Sequence, residues 1–376
     1  MSSNYNPLFN VRWEKTDLYS IGNWINGIAF KKINFDKSGK YPVIKINELK
    51  YGITSQTAFT NQIFDSCYAL SKGDLLFSWS GSPETSIDTF WYDLMDGWLN
   101  QHIFKVLPAN GFSKEFIFYL LKYIKPEVIR IAKDKQTTGL GHITKGDMKQ
   151  IIISFPKLNE QIRLVAIVKS LDDKILLNRQ TNQTLEAMAQ TLFKEMCLPK
   201  GDVLPEGWRV GKLGEVLQFR NGKSSPERND TSQYPVYGAN GVIGYSDSYN
   251  SKEKSSVIGR VGSYCGAVYF TLSKSYITDN AIIAESKNEN GSMFCYHILQ
   301  KLNLNNFKVG SGQPLLNQAI LSSIDIVIPS ELNIRKFEML ALSFFDKIYS
   351  NIQENQTLIA LRDSLLPRLM KGEIEV

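Results

Sequence analysis

The chain has 376 residues, 43% of them hydrophobic, and 43 Lys and Arg against 37 Asp and Glu give it a net charge of +6. That length supports two or three domains with filled cores, and no apolar run reaches the roughly 18 residues that a membrane span requires. The opening Met-Ser-Ser-Asn-Tyr-Asn-Pro lacks the basic-then-apolar pattern of a secretory leader, so a cytoplasmic protein is expected, and the excess of cations favours an acidic partner.

In chain order, residues 1–157 read as a first domain of mixed strands and helices. Trp13-Glu-Lys-Thr-Asp opens a strand, Tyr41-Pro-Val-Ile-Lys-Ile alternates as a second, and Lys72-Gly-Asp turns into a third at Leu75-Leu-Phe-Ser. Ser113 is the expected N-cap of a helix over residues 114–124, with Glu115 in its first turn and Pro126 ending it. Ile151-Ile-Ile-Ser-Phe predicts a buried strand closed by Pro156. Residues 158–202 then form a long heptad helix that stops at Leu198-Pro199. Residues 203–330 repeat the domain plan, with Ser292 expected to cap a helix and Ile324-Asp-Ile-Val-Ile to form the last strand. Residues 331–376 carry a second heptad helix that frays at Pro367. Each helix spans roughly 38 residues, or about 57 Å at about 1.5 Å per residue.

The two helices are copies. Asn182-Gln-Thr-Leu returns 173 residues later as Asn355-Gln-Thr-Leu. The first seam runs Leu164, Val168, Leu171, Ile175, Asn178, Asn182, Leu185, Ala189, Leu192, Met196. At the same offset the second runs Phe337, Ala341, Phe344, Ile348, Asn351, Asn355, Leu358, Arg362, Leu365, Leu369. A period near half the chain marks a duplicated domain-plus-helix unit rather than a solenoid. A heptad seam needs a partner helix, and the other copy is the obvious one. Antiparallel pairing would set Asn178 against Asn355 and Asn182 against Asn351, and such buried amides would fix register, because sliding would oppose them to Leu or Ile; the alternative is that they face solvent where the seam loosens. The domains align more loosely. Asn26-Gly27 matches Asn221-Gly222, Tyr41-Pro-Val matches Tyr234-Pro-Val, residues 98–106 match 276–284, and Gly139-x-Gly141 matches Gly310-x-Gly312.

Catalytic signatures are weak. The three histidines (His102, His142, His297) are not at metal-ligand spacing, and the four cysteines (Cys67, Cys197, Cys265, Cys295) include no C-x-x-C pair and read as reduced thiols. Gly222-Lys-Ser is like a phosphate loop, but Leu217 stands where its leading glycine belongs. Asp36 with Glu48-x-Lys50, on an expected strand, could hold Mg²⁺ for phosphodiester cleavage, which leaves a stand-alone endonuclease as the alternative function. A structural adaptor that does not read DNA is a third reading.

The duplicated plan resembles the specificity subunit of a type I restriction-modification system. The residues that carry the resemblance are Leu204-Pro-Glu-Gly-Trp, Tyr234-Pro-Val-Tyr-Gly-Ala-Asn-Gly, Val257-Ile-Gly-Arg-Val-Gly and Leu361-Arg-Asp-Ser-Leu-Leu-Pro-Arg-Leu-Met. The first domain departs from this pattern, with Ser78-Trp-Ser-Gly in place of the Gly-Arg-x-Gly step.

The resemblance implies an α+β chain in which two similar mixed α/β target-recognition domains are separated by two long helices packed as an antiparallel coiled coil. It implies a non-catalytic subunit whose domains each read half of a split, asymmetric double-stranded DNA site, while the helices set the spacing and dock two methyltransferase subunits. By this reading S-adenosylmethionine belongs to the methyltransferase partners, ATP and Mg²⁺ to restriction/translocase partners, and the chain itself holds no cofactor or metal. The expected base readers are polar residues in irregular loops. They are Lys45, Thr54, Gln56, Ser80, Lys135, Gln136 and His142 in the first domain, and Lys223, Arg228, Asn240, Tyr245, Arg260, Tyr264 and Gln313 in the second.

Overall fold

The computed structural model describes residues 13–136, 139–309 and 315–376. The chain divides into two compact units, Met1–Lys174 with Thr357–Val376, and Ile175–Gln356. Both units combine sheets and helices in an α+β plan, and each takes in part of both long helices, Leu158–Cys197 and Glu331–Met370.

In the first unit the central sheet is antiparallel, with strands in the order Gly22–Asn26, Ile103–Pro108, Leu75–Ser78, Asp88–Trp91. A second sheet pairs Tyr41–Ile44 in parallel with Gly97–Leu99, and a small ladder joins Glu14–Asp17 to Ile152–Phe155. Strand Leu75–Ser78 is buried at all four positions, as a strand covered on both faces must be. The core gathers Trp13, Trp24, Phe77 and Phe116 with Leu164, Val165 and Val168 from the first long helix and Leu369 and Met370 from the second.

The second unit repeats the order with Leu217–Asn221, Ala281–Ser286, Ser255–Gly259, Val268–Thr271. Here Tyr234–Gly238 pairs in parallel with Tyr276–Ile277, and Arg209–Lys212 pairs with Asp325–Ile328. Its core takes Ala189, Phe193 and Cys197 from the first long helix and Phe337, Ala341, Phe345 and Ile348 from the second. Each core therefore depends on both long helices, which is why the heptad seam had to be kept in both copies.

Four local expectations are corrected. The helix capped by Ser113, whose Oγ accepts from Phe116 N–H at 3.0 Å, continues through Pro126 to Asp134. Buried Leu121, Ile124, Val128 and Ala132 hold both sides of the proline against the core, which outweighs the ~3 kcal/mol cost of an interior proline. Pro367 likewise lies inside its helix, because Leu369 and Met370 beyond it are buried. Ser292 does not cap its helix, Ser292–Lys301; Gly291 is the N-cap residue and Ser292 Oγ donates to Glu338 Oε1 at 2.6 Å. Glu48 and Lys50 lie on a short helix, Ile46–Tyr51, rather than a strand.

Among the described residues no helix is long and apolar enough to cross a membrane.

Candidate nucleic-acid interface

Both domains hold one irregular segment of backbone in the same way. In the first, Ile28 N–H donates to Leu99 O at 2.9 Å, Gln101 N–H to Ile28 O at 3.0 Å, and Asn100 N–H to Ile44 O at 3.2 Å. In the second, Lys223 N–H donates to Ile277 O at 3.0 Å, Asp279 N–H to Lys223 O at 2.8 Å, and Thr278 N–H to Tyr237 O at 2.9 Å. Gly27 and Gly222 make this possible. A Cβ on Gly27 would sit 2.3 Å from Asn100 O, and one on Gly222 would sit 2.0 Å from Thr278 O, so only glycine admits the approach.

Around these segments the expected base readers are spread over several loops. Lys223 and Arg228 are exposed, and Arg228 Nη1 donates to Ile243 O at 3.1 Å. Asn240 is exposed in the hairpin between Tyr234–Gly238 and Gly241–Ser246, where Gly241 supplies the positive φ of +80° that the turn needs. Tyr245 is half-buried on that second strand, and Tyr264 is 50% exposed. Arg260 is half-buried, and its Nε is enclosed with no hydrogen-bond partner among the described residues. Gln313, Gly310 and Gly312 lie outside the described residues.

In the first domain Ser80 pairs across a two-residue ladder with exposed His142. Thr54 and Gln56 occupy an exposed turn in which Thr54 Oγ1 accepts from Gln56 N–H at 3.2 Å. Lys45 is exposed, with Nζ 5.4 Å from the centre of the Phe35 ring. Lys135 is engaged by Asp147, whose carboxyl is held below the usual range by Lys135 and Thr144 despite the opposing effect of burial. Gln136 lies exposed beside it. The fold also places Trp79 and His102, which were not among the expected readers, beside Ser80 and His142. The Trp79 ring lies 5.9 Å from His102 and 6.5 Å from His142. The available signal was the alignment that set Trp79 opposite Arg260.

The residues of the nuclease reading are already committed elsewhere. Asp36 accepts from Ser38 N–H at 2.9 Å, Ser38 Oγ at 2.8 Å and Asn61 Nδ2 at 2.7 Å, and these bonds hold its pKa below the usual value. Glu48 is buried, accepting from Lys45 N–H at 3.0 Å and Thr57 Oγ1 at 3.1 Å, and the Lys50 ammonium donates to Thr85 O. Asp36 and Glu48 are thus parts of a local turn and a cap, and Lys50 is tied to a distant backbone carbonyl. No His, Cys, Asp or Glu cluster suited to a metal occurs among the described residues, and the four cysteines are free.

Within the second unit the long helices run antiparallel. Asn178 Nδ2 donates to Asn355 Oδ1 at 3.0 Å and to Glu354 Oε2 at 2.8 Å, and Asn351 Nδ2 donates to Asn182 Oδ1 at 2.7 Å. Asn178, Asn351 and Asn355 are all buried. Within the first unit, Arg362 Nη1 meets Asp172 Oδ1 at 2.9 Å, and Asp172 Oδ2 accepts from Tyr119 O–H at 2.8 Å.

Comparison with known proteins gives these surfaces a context. Residues 10–187 and 205–361 both match the type I restriction modification DNA specificity domain. The chain is 25% identical to the specificity subunit of type I restriction enzyme MjaIX of Methanocaldococcus jannaschii, over 74% of this chain and 73% of the relative. It is 24% identical to the HindI specificity subunit of Haemophilus influenzae, over 81% and 87% of the two chains. Its fold is similar to that of the crystal structure of a type I restriction-modification S subunit from M. genitalium, with a TM-score of 0.66, 98% of each chain covered and 19% identity. The chain belongs to the type I restriction-modification DNA specificity family, and is a non-catalytic specificity subunit carrying two copies of the recognition domain.

Proposed function

We propose that residues 1–157 and 203–330 each read one half of a bipartite, asymmetric DNA site. The long helices, within 158–202 and 331–376, set the spacing and dock two methyltransferase subunits. The observation that carries this reading is the contrast between the two halves of the design: backbone and helix seam repeat, while the exposed side chains on the repeated backbone differ. A reader of two unequal half-sites needs that combination. Half-sites met on one face of a duplex lie about one helical turn apart, ~34–36 Å.

Exposed lysines such as Lys31, Lys32, Lys37 and Lys274 suit phosphate contacts, which position without specifying. The docking surfaces would be apolar residues that the helices leave exposed at matching places. Ile167 on the first helix recurs, at the same 173-residue offset, as Leu340 on the second, and Met188, three heptads further along the same side, recurs as Leu361. Two equivalent surfaces suit two copies of one partner. S-adenosylmethionine would be bound by those methyltransferases, and ATP and Mg²⁺ by restriction/translocase subunits where they join.

Methylome sequencing of cells that express this chain with its methyltransferase should return a split, adenine-methylated motif. A continuous motif would count against two half-site readers. Arg260→Ala should lower affinity by ~1–3 kcal/mol and relax discrimination in one half-site only. Equal weakening on every DNA sequence would make Arg260 a phosphate anchor instead.

The Asn178–Asn355 and Asn182–Asn351 pairs act in this scheme as register pins. Asn351 Oδ1 is buried without a hydrogen-bond partner among the described residues, so the polar seam carries a stability cost that a packing role alone would not require. Replacing Asn178 and Asn355 together by Leu should raise the melting temperature and broaden the spacer length found in methylated sites. An unchanged spacer would reduce the amides to ordinary packing.

A further inference from the structure

Trp79 and Arg260 occupy the same place in their two domains. Trp79 N–H donates to His102 O at 3.2 Å, and Trp79 O accepts from Ile143 N–H at 3.0 Å. Arg260 N–H donates to Asn280 O at 2.9 Å, and Arg260 O accepts from Leu316 N–H at 3.1 Å. Each follows the third strand of its central sheet, Leu75–Ser78 or Ser255–Gly259, and is succeeded by a residue in a short bridge, Ser80 with His142 or Val261 with Leu315. With the backbone fixed, only chemistry changes: Trp79 flanked by His102 in one domain, Arg260 flanked by Asn280 in the other.

The Trp79 ring is immobilised. It stacks on Phe104 at 5.6 Å with 26° between the planes, and its Nε1 donates to Asn26 Oδ1 at 3.0 Å. The indole's one donor is thus already used, and what a ligand can meet is the apolar part of a half-buried ring, flanked by exposed His102 and His142. Arg260 instead carries a guanidinium, whose two terminal nitrogens form a fork of donors even with Nε enclosed. In the major groove a forked guanidinium matches guanine O6 and N7, whereas an apolar surface matches the C5-methyl of thymine.

We propose that Trp79, flanked by His102 and His142, is the specificity determinant of the first domain and reads a thymine methyl where Arg260 reads a guanine in the second. This rests on the reading of both domains as half-site readers.

The test uses the chain assembled with its methyltransferase partner. The methylated motif is first determined for the wild type, and discrimination is then measured on duplexes carrying single changes. In one half-site a single thymidine should be replaceable by deoxyuridine, which lacks only the methyl, with a roughly five- to tenfold loss of binding. Trp79→Ala should abolish that difference and leave the other half-site as selective as before. Trp79→Phe, which keeps the packing on Phe104, should retain part of it, and guards against misreading a folding defect. His102→Ala, which alters an exposed side chain, should weaken discrimination at the same base pair or its neighbour. Insensitivity of every thymidine in that half-site to loss of its methyl overturns the proposal, as does uniform weakening by Trp79→Phe on all sequences. If the wild-type complex shows no split motif at all, the half-site reading itself fails, a result distinct from either of these.

Discussion

Replacing Glu338 by Ala is expected to destabilise the second unit by roughly 3 kcal/mol, measured as a fall in urea midpoint with unchanged slope. Glu338 is 2% exposed on the long helix Glu331–Met370. Its carboxylate accepts from Ser292 Oγ at 2.6 Å and from Met293 N–H at 2.9 Å, at the N-terminus of helix Ser292–Lys301. A carboxylate from one helix therefore caps another, where the dipole and the unpaired N–H groups favour negative charge. Truncation strands several enclosed donors, each costing about 1–3 kcal/mol, while removing a carboxylate whose own burial is unfavourable. Burial pushes the Glu338 pKa up, against the pull of its donors. Glu338→Gln, which keeps one acceptor oxygen, should recover part of the loss. A midpoint shift below the error of the measurement in Glu338→Ala would show that the domain docks without this cap.

How far the sequence revealed this depends on the kind of information each residue carries. The heptad seam was legible because register is periodic: each seam position from Leu164 to Met196 and from Phe337 to Leu369 is buried or half-buried. The opposition of Asn178 to Asn355 followed from symmetry alone, and the hydrogen bond between them is the structural counterpart of that expectation. Helix ends misled where tertiary packing overrode local rules. Pro126 and Pro367 both break propensity inside helices whose neighbouring turns are anchored in the core. Ser292 looked like a cap because Ser usually is one, but the true acceptor lies 46 residues away on another helix. Ser80 and His142 were visible as loop residues, yet their proximity to Trp79 and His102 depends on strand pairing between distant segments. Asp36 and Glu48 show the reverse error: a plausible catalytic spacing whose members are spent on a turn and a cap.

A second large effect is expected in acid. His297 is 4% exposed, stacked on Phe193 at 5.4 Å and edge-on to Phe337 at 5.5 Å and Phe345 at 6.1 Å. Its Nε2 has no hydrogen-bond partner among the described residues, and burial alone lowers its pKa from 6.5 to about 4. The folded chain therefore refuses a proton that the unfolded chain accepts. Stability from this group is complete above pH 6.5 and is lost as pH falls through about 4. A shift of that size corresponds to about 3 kcal/mol at the acid limit. Glu338 works in the opposite sense. With its folded pKa raised, its contribution is complete below the unfolded value of 4.5 and is lost as pH rises through the folded one. Carboxylates held below their usual pKa, such as Asp88 and Asp147, act in the same sense as His297, so the wild-type profile sums opposing groups and subtraction isolates the histidine. Urea unfolding of His297→Leu between about pH 7 and 4 should match or exceed the wild type at neutrality, since no hydrogen bond from Nε2 is lost. It should then pull ahead of the wild type progressively toward pH 4. Parallel curves for the two proteins would mean that His297 is protonated in place, and that the aromatic residues around it open far enough to admit water.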